Sequence, residues 1–492
     1  MSNLTISRER WFVGGYLVVV GILLYAGFHE WAYDDPFITY RYAQNVLRGN
    51  GFVYNTGLKV LSTTTPFFAL ILAIFGLIVP DLHYLANFLG IASIALGAYF
   101  IWDLSKTWQT PIVGWVVLLL YPSFPLLLTT LGSETLLYLA LCLGAFATYA
   151  KKRYNLTALF SALAVLTRAD GILVPFLLSM DFINRRLTHN AKPDSEDREE
   201  RALPWSVLFI FLVILGLWFS FAWVYFGSPI PATLFAKQAQ GNMAISQRFA
   251  PGILRVINWY MTRWQYWIEA ILAVIGIFYA LAAKRRWLLF FFWTILYFVS
   301  YTILGVSSYF WYYAPLVPGF VVAVGLGIQW LWNFIPQDRY SLILRGAMVV
   351  LVAAVFVAQV NHVDAVRINP DHRYKIYRAT GEWLAENSSE NATVGALEVG
   401  IIGYYANRPM IGFAGLIQPD VAKVMNKETT YEDTALWAIK HYHPDYLVLY
   451  PGVFPKVEES IVAVFCFKVA SFNKNRYDSP ANLFVYACDW NK

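Results

Sequence analysis

Two adjacent aspartates follow the first long apolar run of the chain. Asp34 and Asp35 come directly after the run 11–28 and stand before Pro36. Burying a carboxylate near hydrocarbon is costly and neighbouring carboxylates repel each other, so this pair predicts chemistry, ion binding or a helix cap. Asp35 followed by Pro36 also fits an ordinary helix start, with Asp35 as the N-cap. That alternative leaves Asp34 without a structural task.

Four more charged side chains interrupt later apolar runs. Glu134 stands in the turn 132–134, where it either contacts a substrate or caps the following helix. Arg168 and Asp170 stand in a short turn, where they either contact a substrate or pair with each other. Lys237 lies in the long polar loop 227–267 and either binds an anion or anchors the chain at the interface.

Two further groups belong to the same set of candidates. Arg41 follows the aspartates and either holds an anion or extends to lipid headgroups. The aromatic turn 307–313 contains Tyr309, Tyr312 and Tyr313. These rings suit stacking on a sugar, and they suit an interfacial aromatic belt equally well.

The composition places these residues in a polytopic helical membrane protein. Of 492 residues, 58% are hydrophobic and 14% are charged, whereas soluble domains have about 25% charged residues. The net charge of +6 comes from Lys and Arg gathered in short loops between apolar runs. This pattern indicates membrane orientation and gives no sign of a nucleic-acid partner.

About eleven membrane spans are predicted from runs near the length of about 17 to 25 residues that a crossing needs. The run 66–79 is short and lies between two prolines, so we expect it to dip into the membrane without crossing. The predicted spans are 11–28, 85–102, 112–131, 136–150, 156–167, 172–183, 205–226, 268–283, 287–305, 314–334 and 347–360.

This arrangement divides the loops between two sides of the membrane. The basic residues at 106, 151–153, 185–186, 284–286 and 339–345 then all lie inside, as the positive-inside rule requires. The loops 29–84 and 227–267 and the candidate site residues all lie outside. The inside loop 185–201 carries both signs of charge and is expected to be a solvated linker.

The composition becomes polar after residue 360. We expect a membrane domain at 1–360 and an extracytoplasmic α/β domain at 361–492. Its predicted helices are 374–387 and 431–441, its predicted strands are 392–397 and 446–450, and its predicted β pair is 461–471 with 483–489. Cys466 and Cys488 fall in that β pair, and a disulfide between them is open if they face an oxidising compartment.

The first external loop resembles a known signature. The segment 34–55, DDPFITYRYAQNVLRGNGFVYN, is similar to the aspartate loop of the GT-C membrane glycosyltransferases, and most similar to the branch containing the mycobacterial terminal arabinofuranosyltransferase. Further matches are at 132–135, 166–171, 226–231 with Lys237, 312–315, 381–384 and 398–404. The resemblance implies a plasma-membrane enzyme that moves a sugar from a polyprenyl-phosphate donor to a glycan, lipid or protein acceptor on the outer face.

The chemistry of such a transfer assigns roles to the candidates. Asp34 is the predicted general base, and Asp35 orients the acceptor or caps its helix. Arg41, Lys237 and Arg168 are the predicted phosphate partners, and we expect the remaining candidates to contact the substrate.

No cofactor is expected to be required. A divalent cation bridging Asp35 and Glu134 stays open by analogy with related oligosaccharyltransferases. A lipid-carrier ligase or hydrolase and a transporter of lipid-linked sugars are the competing functions. The seven histidines do not gather in one loop, as a hydrolase site would favour, and no inverted hydropathy repeat indicates a transporter.

Overall fold

The chain folds into a bundle of apolar helices followed by a region that contains a small mixed sheet. The structure is a computed structural model that describes residues 2–189, 205–336 and 340–491. The helices before residue 341 are α1 Ser2–Phe28, α2 Asp34–Leu47, α3 Pro66–Gly76, α4 Leu82–Thr107, α5 Pro111–Leu120, α6 Pro125–Leu128, α7 Thr135–Ala150, α8 Tyr154–Thr167, α9 Leu173–His189, α10 Trp205–Phe226, α11 Ala232–Asn242, α12 Phe249–Met261, α13 Trp264–Ala282, α14 Leu288–Leu304 and α15 Val317–Phe334.

The remaining helices carry the chain from the bundle into the sheet region. They are α16 Ser341–Arg367, α17 Arg373–Asn387, α18 Gly400–Ala406, α19 Pro419–Lys423, α20 Tyr431–Tyr442, α21 Pro455–Val457, α22 Ala463–Phe465 and α23 Lys474–Tyr477. The strands are β1 Val394–Ala396, β2 Met410–Gly412, β3 Tyr446–Leu449, β4 Cys466–Phe472 and β5 Leu483–Cys488. Helix α16 continues to Arg367, past the predicted domain boundary at residue 360.

Multiple long apolar helices make this a multi-pass membrane protein. Seven helical segments of the described chain are long and apolar enough to cross a membrane, and they belong to α1, α4, α10, α13, α14, α15 and α16. Four of the eleven predicted spans correspond to shorter helices, α5, α7, α8 and α9. The number eleven therefore stays a prediction.

Two short helices show how proline divides the apolar runs. Helix α3 has 11 residues and a length of about 16 Å, roughly half of the hydrocarbon core, as expected for a helix that does not cross. The predicted span 112–131 is not one continuous helix, because α5 ends at Leu120 and a turn precedes Pro125. Proline has no N–H to continue the helix, and it forces the residue before it, Phe124, out of the helical region.

Ion pairs gather basic loops at one end of the bundle. Lys106 pairs with Glu9 at the start of the chain, and Lys151 pairs with Asp103. The two basic positions therefore lie on the same side as the start of α1, as the predicted topology requires. Residues 190–201 of the predicted linker 185–201 and Arg339 of a predicted basic cluster lie outside the described residues.

Close helix contact in the bundle depends on glycine. Gly276 of α13 faces the backbone of α15, where an added Cβ would collide with the Ala323 carbonyl oxygen. Gly327 of α15 faces α13 in the same way, at the Leu272 carbonyl. Small residues at both contact positions let the two backbones approach as membrane helices commonly do.

Helix α2 is buried on almost all sides. The amphipathic pattern of residues 37–48 predicts a helix that lies in the membrane interface with one polar face, but Arg41, Asn45 and Thr39 are buried, as its aromatic residues are. Helix α18 packs against α2 and covers the face that the sequence pattern leaves to solvent. The polar side chains of α2 therefore contact other parts of the protein and not lipid headgroups.

The sheet near the carboxyl end has the order β2-β1-β3-β5-β4. Strand β1 pairs in parallel with β2 and β3, and β5 pairs antiparallel with β3 and β4. The predicted α/β class is confirmed, although β2 was not predicted and residues 461–465 are helical. Cys466 and Cys488 lie opposite each other in β4 and β5 and form a disulfide.

The disulfide can be checked by intact mass. We expect alkylation under denaturing conditions without reduction to modify one thiol, Cys142, which is free and buried in the native chain. Reduction before alkylation should add two more groups. Three alkylated cysteines without reduction, in a preparation kept under oxidising conditions, would contradict the bond.

The two-sided topology is testable by thiol labelling in intact cells. A cysteine that replaces Lys106 should react with a membrane-impermeant reagent only after the membrane is permeabilised. A cysteine that replaces Asp478, whose side chain is 78% exposed, should react at once. Labelling of position 106 in intact cells would overturn the topology, because it requires one more crossing.

Candidate active site

A cavity of about 390 Å³ lies where α2, α11 and several loops meet. Six of the ten predicted site residues line it, and they are Asp35, Glu134, Arg168, Asp170, Lys237 and Tyr312. The other four, Asp34, Arg41, Tyr309 and Tyr313, are not part of its lining. The structure thus brings together residues from five separate segments of the sequence.

Asp35 and Lys237 form an ion pair on this cavity. Lys237 Nζ lies 3.4 Å from Asp35 Oδ2 and 4.0 Å from the centre of the Tyr309 ring. Burial disfavours the ammonium, but Asp35 and Tyr309 more than offset it and raise the pKa of Lys237 above its usual value. The lysine side chain is 12% exposed and the aspartate 34%, so the carboxylate is accessible while the cation is fixed.

Arg168 is held by a complete set of partners. Its guanidinium lies 3.1 Å from a carboxylate oxygen of Glu134 and 3.1 Å from one of Asp170, and it donates to the Tyr301 hydroxyl at 2.5 Å. The chain between α8 and α9 is a single 3-10 turn. The bonds of Arg168 therefore stabilise the turn that connects these two helices. Of the two alternatives, pairing within the protein is the one observed, and Glu134 makes no capping bond to α7.

The turn that carries Glu134 requires a glycine. Gly132 has a φ of +85°, a conformation that residues with a Cβ rarely adopt. The Tyr40 hydroxyl donates to the Gly132 carbonyl at 2.6 Å, and an added Cβ would lie 2.8 Å from that hydroxyl. The tight turn and α2 are thereby fixed relative to each other.

Asp34 faces away from the cavity. Its two carboxylate oxygens accept the backbone N–H groups of Gly400 and Ile401, at 2.9 and 2.8 Å. Burial raises the pKa of Asp34 to about 8, with Glu398 acting in the same direction and the two N–H groups opposing. Gly400 has no room for a Cβ against the Asp34 carbonyl oxygen. These bonds join α2 to α18, and the role of Asp34 as the general base stays a prediction.

Asp35 is not the helix cap that its position before Pro36 suggested. Helix α2 begins two residues earlier than that cap would place it, at Asp34, and its N-cap residue is Tyr33, which makes no side-chain capping bond. The acidic residues in the first turn still suit the positive end of the helix dipole. Asp35 is left with no capping task and faces the cavity.

Arg41 also departs from its predicted role as a phosphate partner. The side chain is buried and donates to Gln44 Oε1 at 3.0 Å, to the Tyr54 carbonyl and to Asn407 after α18. Burial lowers the pKa of Arg41 to about 10. Like Asp34, it ties α2 to the region after residue 361 and does not reach the cavity.

Some residues of the aromatic turn 307–313 line the cavity, and others pack behind it. Tyr312 lines the cavity, and so does Trp311, which the sequence analysis did not single out. Tyr309 lies behind Lys237, and its hydroxyl donates to Gln240 at 3.1 Å. Tyr313 is not part of the cavity lining and donates to the Phe249 carbonyl at 2.7 Å, so its contact with a substrate stays a prediction.

Sequence reasoning also missed the polar segment 62–65. Ser62 and the three threonines that follow line the cavity, and a run of four hydroxyl residues before Pro66 was the available signal. Pro66, the next residue, lines a separate apolar groove of about 600 Å³ whose other walls include Phe67, Trp218 and Phe221. The cavity, with its hydroxyl and charged side chains, and the apolar groove therefore adjoin at the start of α3.

The described residues contain no cluster of three or more His, Cys, Asp or Glu side chains that could hold a metal ion. Asp35 is paired with Lys237, and Glu134 is paired with Arg168. The two carboxylates proposed as cation ligands thus each have a fixed positive partner. A bridging divalent cation would have to compete with both partners, and its presence stays an open prediction.

Solved structures share this architecture. ArnT from Cupriavidus metallidurans in the apo state matches with a TM-score of 0.65 at 14% identity, over 98% of each chain. ArnT bound to undecaprenyl phosphate matches with a TM-score of 0.64 at 12% identity, over 96% of this chain and 98% of that one. The Archaeoglobus fulgidus oligosaccharyltransferase, tethered with an acceptor peptide, matches with a TM-score of 0.57 at 13% identity, over 98% and 75%.

The chain has the GT-C fold. The GT-C resemblance inferred from the aspartate loop is thereby confirmed at the level of the fold. A family model for a domain of unknown function, DUF8728, matches residues 365–486. No curated protein matches the chain by sequence.

The anchoring role of Asp34 predicts a loss of stability. Asp34→Ala leaves the N–H groups of Gly400 and Ile401 without acceptors, at a cost of about 1 to 3 kcal/mol each. We expect a lower thermal unfolding midpoint in detergent, with Asp364→Ala on the surface as the control. A variant that keeps its midpoint but loses the activity proposed below would return the catalytic role to Asp34.

Proposed function

We propose that this protein is an inverting glycosyltransferase that moves a sugar from a polyprenyl-phosphate donor to a hydroxyl group of a glycan, lipid or protein acceptor. The observation that carries the proposal is the Asp35–Lys237 pair on a cavity that contains charged and hydroxyl side chains and adjoins an apolar groove. A lipid-linked sugar has this same division, because a polar head is joined to a long apolar chain.

Lys237 is the proposed partner of the donor phosphate. A polyprenyl-phosphate sugar is a phosphodiester with one negative charge, so one fixed cation balances it in the ground state. Arg168 is unsuited to this task because Glu134, Asp170 and Tyr301 already occupy its guanidinium. The 3.4 Å pair between Lys237 and Asp35 is loose enough for a phosphate to compete for the ammonium.

Asp35 is the proposed general base. When the phosphate engages Lys237, the carboxylate of Asp35 is released to accept the proton of the acceptor hydroxyl. The acceptor oxygen then attacks the anomeric carbon, and the bond from that carbon to the phosphate oxygen breaks. The leaving polyprenyl phosphate gains a second negative charge, which Lys237 stabilises. A single displacement of this kind inverts the anomeric configuration.

The neighbouring structures support the type of donor. ArnT, whose fold this chain shares, has been seen bound to undecaprenyl phosphate. In the proposal, the prenyl chain lies in the apolar groove beside Trp218, and the phosphate lies at the junction with the polar cavity. The reaction needs no cofactor, because Lys237 supplies the charge that a divalent cation would otherwise provide. A chelator should therefore leave the transfer rate unchanged.

The proposed location is the plasma membrane, with the cavity and the domain 361–492 on the outer face. The disulfide between Cys466 and Cys488 supports this side, because such bonds persist in oxidising compartments. The proposed outer face is opposite to the basic end of the bundle, which the positive-inside rule assigns to the cytoplasm.

Two variants test the proposed chemistry. Asp35→Asn removes the base and should lower transfer from undecaprenyl-phosphate sugars to a cell-envelope fraction about 10² to 10⁴-fold while the donor still binds. Lys237→Met should weaken donor binding about tenfold to a hundredfold, because a charged contact is lost. The matched controls are Asp420→Asn and Lys423→Met, which break an exposed ion pair on α19.

The same assay distinguishes the competing functions. Near-native transfer by Asp35→Asn would show that this carboxylate is not the base. Release of sugar without an acceptor product would favour a hydrolase. If the native protein neither binds nor consumes any undecaprenyl-phosphate sugar, the proposed enzyme class is wrong.

A further inference from the structure

One wall of the cavity consists of hydroxyl side chains. This hydroxyl wall comprises Thr39, Ser62, Thr63, Thr64, Thr65 and Thr233. It draws on α2, on the loop before α3 and on the first turn of α11. The mechanism proposed above uses none of these side chains.

Three threonines of the wall bond to one another. Thr39 Oγ1 lies 3.3 Å from that of Thr63 and 3.1 Å from that of Thr65, and the latter two are 3.0 Å apart. Each hydroxyl has one proton and two acceptor positions, so the triad retains capacity for further hydrogen bonds. The triad also fixes the loop against α2, which makes this part of the wall rigid.

Two other hydroxyls of the wall have no partner. Ser62 Oγ and Thr233 Oγ1 are buried without a hydrogen bond to any described residue, in side chains that are 3% and 7% exposed. They belong to adjoining segments, because the Ala232 N–H donates to the Leu61 carbonyl at 2.8 Å. A buried hydroxyl left unpaired costs about 1 to 3 kcal/mol and is uncommon. Two of them on one cavity indicate a polar ligand.

Aromatic rings complete the same cavity. Tyr33, Trp311 and Tyr312 line it, and the ring of Trp311 stacks on that of Tyr33 at 5.6 Å and on that of Tyr309 at 4.5 Å. Such braced rings offer flat apolar faces, and the hydroxyl wall offers donors and acceptors. A sugar presents both apolar C–H faces and a rim of hydroxyl groups, so it matches both kinds of surface.

The wall adjoins the cation that is proposed to hold the phosphate. Thr233 and Lys237 are four residues apart on α11 and therefore lie on one face of that helix. A sugar attached directly to a phosphate at Lys237 reaches Thr233 and, beyond it, Ser62. The wall itself contributes no charge, and an amino sugar would bring a second cation close to Lys237. The three carboxylates that line the cavity are already paired, Asp35 with Lys237 and both Glu134 and Asp170 with Arg168.

We propose that the hydroxyl wall recognises the sugar of the donor and that this sugar is an uncharged polyhydroxyl monosaccharide. The inference rests on the proposed function, since it takes the donor phosphate to lie at Lys237. Ser62 and Thr233 supply hydrogen bonds to the sugar, and through these bonds the protein discriminates the sugar-bearing lipid from the bare lipid phosphate.

Binding of two kinds of lipid to three variants tests the inference. The variants are Ser62→Ala, Thr233→Val and, as the control, Ser161→Ala, which removes a buried unpartnered hydroxyl that lies outside the cavity. The probes are undecaprenyl phosphate alone and undecaprenyl phosphate carrying glucose, mannose, galactose, arabinose or glucosamine. Binding is measured on the full chain in detergent.

We expect at least one neutral sugar lipid to bind the native protein more tightly than undecaprenyl phosphate alone and than the glucosamine lipid. Ser62→Ala and Thr233→Val should each weaken that sugar lipid about two- to tenfold, as the loss of one hydrogen bond predicts, and leave the bare lipid unchanged. Ser161→Ala should change neither affinity.

Four outcomes would overturn the inference. Equal weakening of the bare and sugar-bearing lipids would assign the hydroxyls to the phosphate. A native preference for the glucosamine lipid would exclude an uncharged sugar, and no preference for any sugar lipid over the bare lipid would exclude recognition by the wall. Failure of the native protein to bind either lipid would instead refute the proposed function on which the inference rests.

Discussion

The angle between neighbouring residues on a helix decides what each aspartate does. Successive side chains of an α-helix point about 100° apart, so Asp34 and Asp35 at the start of α2 cannot both face one cavity. Asp34 points to α18 and accepts two backbone N–H groups, whereas Asp35 points to Lys237. The bonds of Asp34 to α18 fix the rotation of α2 about its axis, and this rotation places the Asp35 carboxylate at the cavity. A paired motif thus encodes one anchor and one exposed carboxylate.

The charges around the cavity follow from the cost of burial near a membrane. Arg168 is 5% exposed, and the burial of its charge is tolerated because two carboxylates and a hydroxyl group pair with the guanidinium. The burial of Asp34 is tolerated because its carboxylate accepts hydrogen bonds from two backbone N–H groups. Asp35 and Lys237 differ from these groups, since their contact is longer and the carboxylate is a third exposed. The Asp35–Lys237 pair thus has the fewest hydrogen bonds of these charged groups, and it is also the pair that a ligand can reach. Replacing one of its partners by a ligand therefore costs less free energy than at Arg168 or Asp34.

The sequence predicts local features of this protein and misses the distant ones. Hydropathy locates the long helices, the aspartate loop indicates the fold class, and the two strand-like segments with cysteines form the expected pair. The roles of Asp34 and Arg41 could not be predicted, because their partners, Gly400 and Asn407, lie more than 360 residues away. No local pattern reports such a contact, and a polar helix face looks the same whether solvent or another domain covers it.

The short helix α3 explains how a cavity with charged and hydroxyl side chains and an apolar groove can adjoin. The threonine triad ends at Thr65, and Pro66 starts a helix of mainly apolar residues, so the chain changes from hydroxyl groups to hydrocarbon within one peptide bond. A helix that crossed the membrane would carry this boundary to the opposite side, whereas one of about half that length returns the chain to the same surface. An amphiphilic ligand needs such a boundary at the depth of its own headgroup. Pro66, which starts α3 at this boundary and lines the groove, is therefore as much a part of the site as the charged residues.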